Sequence, residues 1–170
     1  MKLKELLNQY SDVELTQEQE EQFRKYIGIK LKRWRPNQRE RYYFIDSCGT
    51  IIDSLFHEHN RVDEYRFFTN NCFKTVAEAE FKLQQIKVYY ELKNFADDHN
   101  SKIDWNTSTF KYYICNKYLD NSSSHRCPCV DHISYAQDIG QIYFSSKDLA
   151  DQAIRKVSID KIKKYLFGEK

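Results

Sequence analysis

Two extended segments followed by a helix occur twice in this chain, and that repetition restricts the fold more than any other feature. In the first copy, the aromatic segment 41–45 and the β-branched segment 50–52 flank a Ser-Cys-Gly turn, as in a β-hairpin. Thr75 and Glu78 then form a capping box, and helical periodicity continues to about Asp98. The first copy therefore predicts a small antiparallel sheet followed by a long helix.

The second copy repeats this order with different residues. Lys111–Cys115 is aligned with Arg41–Ile45, Gly140–Phe144 is extended, and Ser146 takes the place of the Thr75 cap. Leu-, Ala- and Ile-rich helical spacing follows that serine. The sequence predicts an α+β fold with two tandem small antiparallel β-sheet units, each followed by a helix. An N-terminal helical region (1–28) would precede the first unit (29–100) and the second unit (101–170).

Composition indicates a protein that stays in the cytoplasm of the cell that makes it. No stretch of about 18 apolar residues is present, and the N-terminus lacks the apolar run of a signal peptide. The five cysteines are an odd number without a secretory signal, which favours reduced thiols. We expect no membrane association, no cofactor, and a monomer or small homo-oligomer.

Charge is unevenly distributed along the chain. In segment 28–41, six basic residues and one acidic residue give +5, whereas in segment 42–110 seven basic and eleven acidic residues give −4. The basic side chains are binding candidates for phosphates or an acidic protein surface; they are Lys30, Lys32, Arg33, Arg35, Arg39 and Arg41. Asp63 and Glu64 are candidates on the acidic segment, although a solvated surface explains both segments equally well.

The aromatic strands could bind single-stranded nucleic acid. Tyr42 and Tyr112 would stack on bases beside the cations of the basic segment. Alternatively, these strands simply supply a core, with Tyr43 and Tyr113 buried and their neighbours half-exposed. Tyrosine and arginine also dominate protein–protein contacts, so the same surface suits a protein partner.

Metal-ligand residue types cluster at one place. His125, Cys127, Cys129 and His132 are the types that zinc prefers. However, structural zinc sites usually space their cysteines by about two to four residues, whereas here only Pro128 separates them. We therefore expect a polar loop between strands rather than a metal site.

Signals for catalysis are weak. His57 and His59 are the candidates for acid–base chemistry, but no nucleophile or phosphate site surrounds them. Four glycines are too few for a glycine-rich phosphate loop. The residues favour a binding protein over an enzyme.

Four motifs carry a family resemblance: Trp34-x-Pro36, Tyr42–Ile45, Asn71–Glu80 and Tyr89–Ala96. They resemble a module that is widespread in small proteins of phages, prophages and conjugative elements of low-GC Gram-positive bacteria. The second half, with segments 111–114 and 140–150, is similar to what commonly follows that module. The resemblance covers about residues 34–167, and the matched positions are framework residues, so it implies no catalytic residue.

Some members of this group resemble anti-CRISPR proteins, which inhibit the RNA-guided nuclease of type II systems. The resemblance thus implies a counter-defence protein that binds the host type II CRISPR effector nuclease, its guide RNA, or both, in a bacterial cytoplasm. The alternatives are a nucleic-acid-binding accessory protein of a mobile element and a small ribonuclease that uses His57 or His59.

Overall fold

The structure is a computed structural model that describes residues 33–118 and 126–169. The chain divides into two compact units, residues 1–35 and 36–170. The predicted N-terminal helical region, together with Lys30, Lys32 and His125, lies outside the described residues. The account below concerns the second unit, in which residues 36–100 are called the first repeat and residues 101–169 the second repeat.

The first repeat contains one hairpin and two helices. Its elements are β1 (Arg41–Ile45), β2 (Ile51–Leu55), α1 (Arg61–Phe68) and α2 (Val76–His99). The strands are antiparallel, with Tyr43 opposite Asp53. The Asp46 carboxylate accepts hydrogen bonds from the N–H groups of Cys48 and Thr50, and Gly49 has a φ of +78° that favours glycine. The predicted hairpin is therefore confirmed, and its turn has a local cause.

The second repeat contains a three-stranded antiparallel sheet in the order β4-β3-β5. Its elements are β3 (Lys111–Tyr118), β4 (Arg126–Ile133), β5 (Tyr143–Phe144), α3 (Lys147–Val157), α4 (Ile159–Lys161) and a π-helical turn (Ile162–Leu166). The Ser146 hydroxyl accepts from the Leu149 N–H and begins α3. The predicted α+β class, with a helix after each small sheet, is confirmed.

Two predicted loops have regular structure instead. The polar residues 57–63 predict a loop, but helix α1 begins inside this segment, because the Asn60 side chain accepts from the N–H groups of Val62 and Asp63. The segment expected to be a polar loop around Cys127 and Cys129 is strand β4, which pairs along the whole of β3. Pairing with a partner strand overrides the loop-like composition of this segment.

Strand pairing also shows that the sequence alignment of the two repeats is wrong by one position. Tyr43 forms an isolated bridge with Phe73, and Tyr112 is opposite Phe144. Both phenylalanines lie two residues before a helix N-cap. Tyr43 is therefore equivalent to Tyr112, and Tyr42 is equivalent to Lys111. Because each strand contains two consecutive tyrosines, the sequence pattern fits both the original alignment and the one shifted by one position.

Two asparagines complete the edges of the sheets. The Asn71 side chain donates to the Ile45 carbonyl at 2.7 Å and accepts from the Ile45 N–H at 2.8 Å. In the second repeat, the Asn100 side chain donates to the Tyr143 carbonyl and accepts from the Ser145 N–H, each at 2.8 Å. Each amide side chain takes the place of a neighbouring strand's backbone.

The main core lies between α2, α3 and the inner face of the second sheet. Its buried residues are Val88, Leu92, Phe95, Ala96, Ile114, Ile142, Phe144, Ala150, Ala153, Ile154, Val157 and Ile162. The helical spacing of Val88, Leu92 and Phe95 predicts an apolar stripe on α2, and these residues belong to this core. Helix α2 also contacts β1 and β2, so a single helix connects the two repeats.

Candidate binding face on the second sheet

Alternation along β3 and β4 gives the second sheet two chemically different faces. The inner face carries Ile114 and packs on the core, together with Tyr112 and Val130. The opposite face is called the open face; its residues are Tyr113, Cys115 and Lys117 from β3 and Cys127, Cys129 and Asp131 from β4. Lys117 is exposed and the other five residues are half-buried. The sheet thus presents polar and thiol groups to solvent.

The equivalent face of the first repeat is covered by a helix. Tyr42 and Phe44 are buried there beneath α1, and the Arg66 guanidinium lies 3.5 Å from the centre of the Phe44 ring. In the second repeat, the described residues 134–142 between β4 and β5 contain no such helix. Among the residues that the structure describes, the open face therefore has no helical cover of the kind that the first repeat has.

Residues before β3 close one end of that face. The Trp105 ring packs edge-on against Tyr143 at 4.9 Å. The Lys111 ammonium is buried beside Trp105 and donates to the carbonyls of Thr107 and Ser134 at 2.8 and 2.9 Å. These hydrogen bonds compensate for the burial of the Lys111 ammonium. They also hold Thr107 and Ser134 beside the start of β3.

A tyrosine, a carboxylate and an ammonium group form the polar part of the open face. The Tyr113 hydroxyl donates to Asp131 Oδ2 at 3.2 Å, and Lys117 Nζ pairs with the same oxygen. The hydrogen bond from Lys117 holds the pKa of Asp131 below its usual range, and the same bond raises the pKa of Lys117. Burial and the nearby Asp131 carboxylate raise the pKa of Tyr113. At neutral pH the three groups are a carboxylate, an ammonium and a neutral phenol.

Two thiols lie directly beside this network. Cys115 and Cys129 are opposite one another in the β3–β4 pair, and their sulfur atoms are 3.4 Å apart. Burial, followed by the hydrogen bond to Cys129, raises the pKa of Cys115 to about 12. Cys115 is therefore a neutral thiol at neutral pH and a poor nucleophile in that state.

The described candidates for a zinc site do not all lie on one face. Cys127 and Cys129 share the open face, but His132 is on the opposite side of β4, with its ring 4.3 Å from that of Phe110. In residues 33–118 and 126–169, no group of three or more His, Cys, Asp or Glu side chains is arranged to hold a metal ion.

The other predicted site residues of the first repeat are scattered or buried. Tyr42 is completely buried and donates to the Asp63 carboxylate, which is 4% exposed, so neither is available to a partner. Glu64 is half-buried on α1. The exposed residues His57 and His59 lie at the turn before α1, and the His57 N–H donates to Asp63 at 3.0 Å.

The four described arginines of the basic segment are exposed. Arg41 pairs with Asp53 at 3.1 Å. Arg39 is exposed and has a φ of +63°. Arg33 and Arg35 are exposed and belong to the first compact unit. Tyr112, predicted as a stacking platform, is half-buried against the core.

Sequence reasoning missed Tyr113, Cys115, Lys117 and Asp131 as a group. The Tyr-x-Cys-x-Lys alternation of β3 indicates one strand face, but its partners become visible only once residues 126–133 are known to be a strand.

Comparison with known proteins adds no relative: no protein-family model, curated protein or solved structure matches the chain significantly. Within the described residues, no helix is both long and apolar enough to cross a membrane.

Proposed function

We propose that this chain is a counter-defence protein of a phage or mobile element that acts by binding. Its partner would be the host type II RNA-guided nuclease or the guide RNA of that nuclease, and its contact surface would be the open face. The family resemblance is the reason for proposing this class of partner, and the absence of a covering helix from residues 134–142 supports the choice of the open face.

The ionisation of the open face is the observation that supports binding over catalysis. Groups that transfer protons in enzymes usually have pKa values shifted towards neutrality. Here the pKa of Asp131 is lowered, and those of Tyr113, Cys115 and Lys117 are raised. All four shifts move away from neutrality, so each group keeps one protonation state and a fixed hydrogen-bonding role.

The chemistry of the face suits a charged macromolecule. Beside it, at the end of the β3–β4 pair, Tyr118 is 55% exposed and the Arg126 guanidinium lies 4.8 Å from the centre of its ring. Tyrosine and arginine dominate protein–protein hot spots. Lys117 adds a cation that an RNA phosphate or a protein carboxylate would accept.

The test uses purified chain and guide-loaded nuclease from a host of the mobile element, with co-elution and DNA cleavage as readouts. We expect a stoichiometric complex and reduced cleavage. Lys117→Glu should weaken binding tenfold or more, because it places a like charge beside Asp131 and reverses the charge of an exposed lysine on the open face. Lys93→Glu is the matched control, because Lys93 also pairs with an aspartate, Asp97, but on the solvent-facing side of α2. If the wild-type chain forms no complex, the proposal is refuted. If Lys117→Glu binds as tightly as Lys93→Glu, the open face is not the contact surface.

A nucleic-acid-binding accessory protein is the second candidate, favoured by the Arg126–Tyr118 pair. Aromatic rings beside cations are the usual platform for single-stranded bases. This function predicts binding of free RNA or DNA with an affinity that falls steeply with salt. Tyr118→Ala should weaken that binding, whereas Tyr90→Ala, at an equally exposed tyrosine on α2, should leave it unchanged.

A further inference from the structure

The paired thiols of the open face have a geometry that the proposed binding function does not require. Directly opposite residues of an antiparallel pair have Cα atoms about 4.5–5.5 Å apart, and disulfides span Cα separations of about 4.4–6.8 Å. Cys115 and Cys129 are such a pair, and their sulfur atoms are already 3.4 Å apart. Small side-chain rotations would bring these sulfurs to bonding distance without a change of strand register.

Access to the pair is also suitable. Both cysteines are half-buried on a face that no helix covers within residues 134–142. The sulfur atoms therefore have a path to a small reagent in solvent, in contrast to the side chains under α1 in the first repeat.

We propose that Cys115 and Cys129 form a redox-active dithiol that a small disulfide, such as oxidised glutathione, converts into a cross-strand disulfide. Cys129 loses its proton to solvent, and its thiolate attacks one sulfur of the small disulfide. The S–S bond of the small disulfide breaks, one thiolate leaves, and a mixed disulfide remains on Cys129.

Cys115 then loses its proton and attacks the Cys129 sulfur, which releases the second small thiolate. The protein dithiol is oxidised by two electrons, the small disulfide is reduced to two thiols, and the two protons from the protein balance the two thiolates released. This chemistry does not depend on the proposed partner.

A third thiol on the same face provides a stringent control. Cys127 lies opposite Lys117 rather than opposite Cys115. Alternate residues of one strand are about 6.6 Å apart, close to the upper limit for a disulfide, so Cys127–Cys129 is a poor pair. The strand register therefore assigns Cys115 to Cys129 rather than to Cys127, its diagonal neighbour on β4.

The experiment treats the full-length reduced protein with oxidised glutathione, alkylates remaining thiols, and identifies tryptic peptides by mass spectrometry. Trypsin places Cys115 in peptide 112–117 and both Cys127 and Cys129 in peptide 127–147. We expect these two peptides to be joined, with the loss of two hydrogen atoms, and to separate after reduction by dithiothreitol. The monomer band on a non-reducing gel should show that the bond is intramolecular.

Variants locate the bond. The link should persist in Cys127→Ser and disappear in Cys129→Ser and in Cys115→Ser. The proposal is overturned if wild type yields no joined peptides, or if the link survives in Cys129→Ser and is lost in Cys127→Ser. Circular dichroism of the serine variants would show that each remains folded, and Cys48→Ser provides a variant at an exposed turn that should behave as wild type.

Discussion

Replacing Tyr42 with phenylalanine removes one oxygen atom from the interior of the first repeat. The Tyr42 side chain is completely buried, and its hydroxyl donates to Asp63 Oδ1 at 2.6 Å and accepts from Arg66 Nη1 at 2.8 Å. The ring packs against Phe44 and Phe56, with centroid separations of 6.0 Å in both cases. Phenylalanine keeps this packing, so the substitution isolates the hydroxyl.

At neutral pH we expect Tyr42→Phe to lower the free energy of unfolding by about 1.5–3 kcal/mol, the usual contribution of a buried hydrogen bond to a charged group. The cost arises because Asp63 loses its shortest hydrogen bond while it stays buried. The His57 N–H and the more distant Arg66 guanidinium remain as its partners.

The pH dependence gives a second, independent magnitude. Burial, followed by the hydrogen bond to Asp63, raises the pKa of Tyr42 to about 12, from 10.0 in the unfolded chain. The folded state thus holds the phenolic proton more tightly. Its stabilisation is complete below pH 10 and is lost as the pH rises from 10 to 12. Two units of pKa correspond to about 3 kcal/mol, of which about half is lost by pH 11.

The assay is urea unfolding followed by circular dichroism at pH 7.5, 9 and 11. The stability difference between wild type and Tyr42→Phe should shrink by about 1 kcal/mol between pH 9 and 11. Tyr43→Phe, at the adjacent half-buried tyrosine, controls for general alkaline effects and should run parallel to wild type. A pH-independent difference, or a loss below 0.5 kcal/mol at pH 7.5, would refute the reasoning.

Three further substitutions test the framework. Leu92→Ala, at a residue 2% exposed in the core, should cost about 2–5 kcal/mol in urea unfolding, and a loss below 1 kcal/mol would show that the core is misplaced. Thr75→Ala removes the capping box of α2 and should cost about 1 kcal/mol; Thr69→Ala, at the end of α1, is the comparison, and an equal loss would contradict the cap. Asn100→Ala leaves the Tyr143 carbonyl and Ser145 N–H without their amide partner. It should cost about 1–3 kcal/mol and accelerate hydrogen exchange at Ser145, and unchanged exchange would contradict it.

Local signals predicted the elements whose causes are local. The capping box at Thr75 and Glu78 fixes the start of α2, and the Asp46 and Gly49 turn fixes the first hairpin. Runs of aromatic and β-branched residues predicted β1 and β3. These features depend on residues a few positions apart, so a single sequence contains them.

The sequence-based predictions failed where the structure depends on contacts between residues far apart in the chain. Tyr65–Phe68 has strand-like residues but lies on a helix, whose Asp63 is held by Tyr42 from another element. The Lys117–Asp131 pair joins two strands across 14 positions, and only the register of β3 and β4 brings it together. Neither the buried state of Tyr42 nor the open face could be inferred from composition.

The asparagine amides at the sheet edges have a consequence for the behaviour of the protein at high concentration. An unpaired strand edge is a template for edge-to-edge aggregation. Asn71 occupies the polar groups of Ile45, and Asn100 occupies those of Tyr143 and Ser145, so an incoming chain meets no vacant backbone groups at these positions. On the opposite edge of the second sheet, β4 contains Pro128, which has no N–H to offer. The second sheet is thus protected from open-ended growth on both sides, by an amide on one edge and an imino acid on the other.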